Sequence, residues 1–141
     1  MSKTPKAERI PGPGAGKSKL ALAFLCVYWP VIFVASHVPK EMVPKGWTVS
    51  GAGLHVLAYS VLTVLVFATA GMLRRTALRC RKTWALVALI TGYAAVDELL
   101  QLTSPGRDGR VLDWLVDTMA CLLCVGLLTI LTRFSERRSG A

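Results

Sequence analysis

The sequence predicts an all-α integral membrane protein, four transmembrane helices in a compact bundle, and three observations predict it. The chain of 141 residues is 53% hydrophobic with a mean hydropathy of +0.50, and its apolar residues fall in blocks. Four of those blocks are long enough to cross a ~30 Å hydrocarbon core at ~1.5 Å per residue. None of them alternates apolar and polar residues as a barrel strand must. A chain of this length makes one domain at most.

Residues 1–19 hold Lys3, Lys6, Arg9, Lys17 and Lys19 among Pro5, Pro11, Pro13, Gly12, Gly14 and Gly16, without apolar periodicity. They read as a flexible basic cytoplasmic tail. The transmembrane domain is expected over 20–133, with a short basic cytoplasmic tail at 134–141. Its first span, 20–38, contains Pro30 after Trp29, a kink that neighbouring helices can tolerate. The stretch GPGAGKS (12–18) has the flavour of a phosphate-binding loop, but Pro11 stands where the leading glycine belongs and no strand precedes it. A cleaved leader ending near Val34-Ala35-Ser36 is a competing reading of the first span. The apolar run is long for a leader, so a retained span is expected.

The second, third and fourth spans are expected at 54–73, 84–102 and 111–132. The connection 39–53 is broken by Pro39, Pro44, Gly46, Gly51 and Gly53, with Trp47 suited to the interface. The next connection is short and basic, and the last, 103–110, turns on Pro105-Gly106. Cys26, Cys121 and Cys124 sit inside apolar spans and Cys80 in the basic connection. The C-x-x-C of Cys121 and Cys124 lacks a second pair or a nearby histidine, so no metal and no cofactor is expected.

The net charge of +9 is arranged by topology rather than for nucleic acid. All but Lys40, Lys45, Arg107 and Arg110 of the 17 basic residues fall in the two tails and the second connection, which share one side of a four-span chain. The positive-inside rule places that side, with both termini, in the cytoplasm.

On this topology the polar residues within the spans meet in one shallow layer under the outer surface. Asp97, Glu98 and Gln101 end the third span, Asp113 and Asp117 open the fourth, and His55 and Tyr59 open the second. His55 and Tyr59 are four apart, as are Asp97 and Gln101, and Asp113 and Asp117, so each pair shares a helix face. Lipid does not solvate such faces, so they are expected to turn inward and form an outward-opening polar pocket with Arg107 and Arg110 on its rim. A charge deep in a span costs ~2.5–3.5 kcal/mol, less near the interface. Stapling one loop by a salt bridge would need fewer acids than stand here, whereas Asp108 reads as a turn residue.

The run DELLQLTSPGR followed by Asp113, with His55 and Tyr59 on an earlier span, resembles the VanZ-like membrane proteins over about residues 51–126. His55, Tyr59, Asp97, Glu98, Gln101, Pro105, Gly106, Arg107 and Asp113 match that family's pattern in order. Ala52 stands where the family has lysine, Asp117 where it has asparagine, and Ala120 and Cys124 where it has small glycines. The resemblance implies a small multi-pass protein of the bacterial plasma membrane, in a family whose founding member is linked to resistance to the glycopeptide teicoplanin.

Two classes of function use the same pocket. In the first, it binds a lipid headgroup or a lipid-linked envelope precursor, with Arg107, Arg110, Tyr59, Gln101 and Asp117 as contacts. In the second, the protein is a membrane-embedded enzyme in which His55, partnered by Asp97 or Glu98 with Asp113 nearby, moves protons on such a substrate. A divalent metal held by the carboxylates and His55 is a variant of this class, whose geometry spacing does not give. No nucleophile or metal signature is visible in the sequence, which favours the binder. A transporter is a third class, for which four short spans leave little room. Membrane lipids or a lipid-linked precursor are the expected partners, with no nucleic acid. The sequence leaves the oligomeric state open.

Overall fold

The computed structural model describes residues 15–39, 42, 51–73, 78–104 and 109–139. Four helices follow in order: α1 (Ala15–His37), α2 (Gly51–Thr69), α3 (Arg81–Gln101) and α4 (Val111–Ser139). Each is long and apolar enough to cross a membrane, and no strand occurs among the described residues. The expected all-α membrane architecture is the one observed. Trp47, Arg74, Arg75, Pro105, Gly106, Arg107 and Asp108, to which the sequence assigns interface, topology or turn roles, lie outside the described residues.

Helix ends differ from the sequence expectation by up to seven residues, most at the start of α1 and the end of α4. α1 begins at Ala15, inside the stretch read as flexible, and α4 continues past Thr132 to Ser139. A helix already nucleated within an apolar span propagates at the small cost of one further residue at a time, so Gly16–Lys19 and the polar end of α4 extend it. Arg137 and Arg138 in the last turn of α4 complement the negative end of its dipole. Pro30 lies inside α1 without ending it.

Helix α2 closes on Gly71, whose φ of 67° an L side chain adopts only with strain. The Met72 N–H bonds the Phe67 carbonyl at 2.8 Å and the Gly71 N–H bonds the Ala68 carbonyl at 3.0 Å. This pairing satisfies carbonyls that the helix end would otherwise leave open.

α1 lies along α2, α2 along α4, and α4 along α3, while α3 meets α1 and α2 only lightly. Leu62, Phe67, Ile90, Ala94, Cys121 and Val125 fill the centre. Leu20, Phe24, Val27, Leu57, Leu99 and Leu123 point outward, whereas Asp97, Glu98, Gln101 and Asp117 are buried. A soluble bundle has the reverse distribution, and hydrocarbon explains this one.

Since lipid tails are as apolar as leucine, close packing and interhelical hydrogen bonds must hold the helices together. The Tyr28 hydroxyl donates to the Ala58 carbonyl at 3.0 Å, joining α1 to α2. The Trp114 indole N–H donates to the Thr91 carbonyl at 3.1 Å, joining α4 to α3. Each such bond contributes roughly 0.6 kcal/mol. Where α1 and α3 diverge, an open apolar groove of about 640 Å³ runs between Leu22, Leu25, Trp29, Phe33 and Tyr93.

Candidate functional site

All four helices bring polar side chains to the end of the bundle where α1 and α3 finish and α2 and α4 begin. The tightest contact joins α2 to α4. His55 Nδ1 lies 3.0 Å from Asp117 Oδ1 and 3.2 Å from Oδ2, with the His55 side chain 17% exposed and that of Asp117 only 1%. A carboxylate accepts only, so the imidazole presents its Nδ1 proton to Asp117.

Glu98 completes the group from α3. Its Oε2 accepts the Arg110 backbone N–H at 2.8 Å, and its Oε1 lies 3.5 Å from Gln101 Nε2. One ligand atom from each of His55, Glu98 and Asp117 lies within 4.8 Å of the other two. Gln101 Nε2 also donates to Asp97 Oδ2 at 3.1 Å, so the i,i+4 pair read from spacing shares a face and a hydrogen bond. Asp113, half-buried in the first turn of α4, is close enough to His55, Glu98 and Asp117 to act on their charges.

Backbone geometry holds Glu98 in place. A Cβ at Gly109 would overlap the Glu98 carbonyl and crowd Leu102. Glycine therefore lets the chain entering α4 press against the end of α3, which brings the Arg110 N–H to Glu98. Arg110 joins the site through that N–H, while the residue as a whole is exposed. Arg107 lies outside the described residues.

The hydrogen-bonded partner of His55 is Asp117, where the sequence suggested Asp97 or Glu98. The reason is the packing order, since α2 lies along α4 and touches α3 only lightly. Asp97 turns instead toward α1, where its Oδ1 accepts the Ser36 hydroxyl at 3.0 Å and lies 3.8 Å from His37 Nδ1.

Ser36 and His37 are site residues that sequence reasoning missed. Their signal was a Ser-His pair closing the first span at the depth of the other polar groups, and the leader reading absorbed it. Ser36, His37 and Asp97 do not form a hydrolytic relay. His37 Nδ1 is 2.8 Å from the Phe33 carbonyl, which can only accept, so that nitrogen carries the proton and cannot take one from Ser36. The trio ties the end of α1 to α3.

Tyr59 lies one turn beyond His55, 4% exposed, within electrostatic reach of Asp117, Asp97 and Glu98. Its hydroxyl has no hydrogen-bond partner among the described residues, and neither does that of Tyr93, whose ring centroid is 6.3 Å away. Buried polar groups in folded proteins are nearly always paired, so an open donor beside carboxylates calls for an explanation.

Fold and site together define a four-span membrane protein with a buried polar cluster at one end. A family model described as VanZ/LLP1 matches residues 20–132, which take in nearly all of the four helices, and the chain belongs to the VanZ-like family. No curated protein and no solved structure gives a significant match.

Proposed function

We propose that this polar end faces outward from a bacterial plasma membrane, with both termini cytoplasmic, and binds the headgroup of a lipid or a lipid-linked envelope precursor. The observation that carries the reading is the convergence of polar groups from four helices at one end, with Ser36, Asp97, Gln101 and Glu98 in one hydrogen-bonded chain and the His55–Asp117 pair beside Glu98. Burying Glu98 and Asp117 works against stability, by ~2.5–3.5 kcal/mol per charge at full depth. Interhelical hydrogen bonds of roughly 0.6 kcal/mol do not offset that. The acids suit the hydroxyl and amine donors of a headgroup, and Arg107 and Arg110 suit its phosphate. The apolar groove between α1 and α3 suits an acyl chain, because His37 rests on Phe33 at the groove's edge, with ring centroids 4.3 Å apart.

Native mass spectrometry of the chain released from membranes tests this. A lipid or isoprenoid-linked adduct on the wild type, lost in His55→Ala and Arg107→Ala, is the expected result. Variants that reach the membrane at normal level and keep the same adduct would rule it out. A periplasmic reporter fused after Ala141 should be inactive, and an active one would reverse the orientation. Loss of the adduct should accompany altered sensitivity to glycopeptides such as teicoplanin if the family link extends to this chain.

One observation favours a second reading. His55 and Asp117 at 3.0 Å form an oriented imidazole–carboxylate pair of the kind that moves protons. Release of a cleaved headgroup from the bound lipid, lost in Asp117→Asn while the adduct persists, would make the protein an enzyme.

A further inference from the structure

We infer that His55, Glu98 and Asp117 form a binding site for one divalent transition-metal cation, with zinc as its best fit. The three ligands come from α2, α3 and α4, and one donor atom of each lies within 4.8 Å of the other two. Ligand atoms on one zinc ion, at bonds of about 2.0–2.2 Å, stand roughly 3.5 Å apart. His55 Nδ1 and Asp117 Oδ1 are already at 3.0 Å, and Glu98 offers an oxygen within 4.8 Å of the other two donor atoms.

Charge points the same way. Two carboxylates and a neutral imidazole leave a net charge that one dication cancels. Among the described residues no lysine or arginine forms an ion pair with Glu98 or Asp117. A cation removes the penalty of holding two anions out of water, which an imidazole proton does only in part. One nitrogen and two oxygens make a mixed donor set suited to zinc or manganese rather than to magnesium, which prefers oxygen alone.

The second shell is in place as well. The Arg110 N–H fixes Glu98 Oε2, and Gln101 Nε2 reaches Oε1. The buried Tyr59 hydroxyl, without a partner among the described residues and in the field of Asp117 and Glu98, is placed to donate to a water on the metal's open position. When the cation binds, it displaces the Nδ1 proton from its contact with Asp117, and that proton moves to Nε2 as the ring changes tautomer. The sequence carries no metal signature because each ligand comes from a different helix, so no short spacing marks them.

The test uses the full chain in nanodiscs, stripped with chelator, reloaded with Zn²⁺ or Mn²⁺ and dialysed before metal analysis. One equivalent per chain is expected on the wild type. Glu98→Gln and Asp117→Asn should lose it, and Gln101→Ala should weaken it about 10–100-fold. Glu136→Gln, exposed near the far end of α4, should bind as the wild type does. Zinc-edge absorption on the wild type alone should give a shell of nitrogen and oxygen, which decides the matter even if a variant misfolds. Failure to hold either metal, retention by both ligand variants, or a sulfur shell from Cys121 and Cys124 would each overturn the site.

Discussion

At the end of the bundle where α1 and α3 finish, buried polar side chains bond from helix to helix; in the other half the shortest bonds of the buried threonines run back onto their own helix, Thr132 adding a longer one of 3.4 Å to the Leu73 carbonyl. Thr63 donates to the Tyr59 carbonyl at 2.7 Å, Thr129 to Val125 at 2.8 Å, and Thr132 to Leu128 at 2.7 Å, all four residues back along the same helix. Such hydroxyls satisfy themselves whatever the neighbouring helix does. The cluster of Ser36, His55, Asp97, Glu98, Gln101 and Asp117 exists only when all four helices are in register. Both regions are buried. One is held by packing and tolerates its polar groups, whereas the other concentrates acids that packing alone would exclude.

The largest effect expected from breaking this comparison lies in the packed half. Phe67 and Ile90 are completely buried, and cutting either to alanine should lower bundle stability by about 3–5 and 2–5 kcal/mol respectively. Unfolding in bilayers or mild detergent measures the loss. A smaller effect is expected at Gly109, where a methyl group meets the Glu98 carbonyl. Gly109→Ala should push α4 off α3 and break the Arg110–Glu98 bond, a loss of about 0.6–1.7 kcal/mol for an interhelical bond in a membrane protein. Amide exchange at Arg110 reports it directly.

Smaller again is Thr63→Val. It removes a bond within α2 and a weak contact with the Cys121 thiol on α4, and should change stability by about 0.6 kcal/mol or less in the same assay. The mildest prediction lies outside the membrane, at Cys80. Backbone N–H groups of Thr83 and then Lys82 hold its thiol below the ordinary range. More thiolate is therefore present near neutral pH, and maleimide should modify Cys80 faster than a free cysteine, the advantage fading as pH rises above the ordinary thiol pKa. With the proposed topology, only a membrane-permeant maleimide reaches it in intact cells.

The architecture was legible because hydrocarbon thickness sets how long an apolar run must be, and each of the four blocks met that length. The i,i+4 spacing of Asp97 and Gln101 was equally readable, since helix geometry alone puts them side by side. The partner of His55 was not. Whether α2 faces α3 or α4 is decided by packing between spans that are apolar on every side, and no periodicity in them names a neighbour. Ser36 and His37 escaped for a related reason, because a short polar pair before Pro39 looks the same at a helix end as at a processing site. Polar helix ends such as Gly16–Lys19 carry no apolar pattern, so the true start of α1 was hidden too.

The central claim is that the polar end is built to bind and contributes little to holding the bundle together. The double variant Glu98→Gln, Asp117→Asn tests it most directly, because amides keep the shape while removing the buried charge. With chelator present to keep both proteins metal-free, its unfolding free energy in bilayers should equal or exceed that of the wild type, as at a site where stability is given up for function. A loss on the scale of Phe67→Ala would instead show that these acids hold the helices together, and would contradict the account.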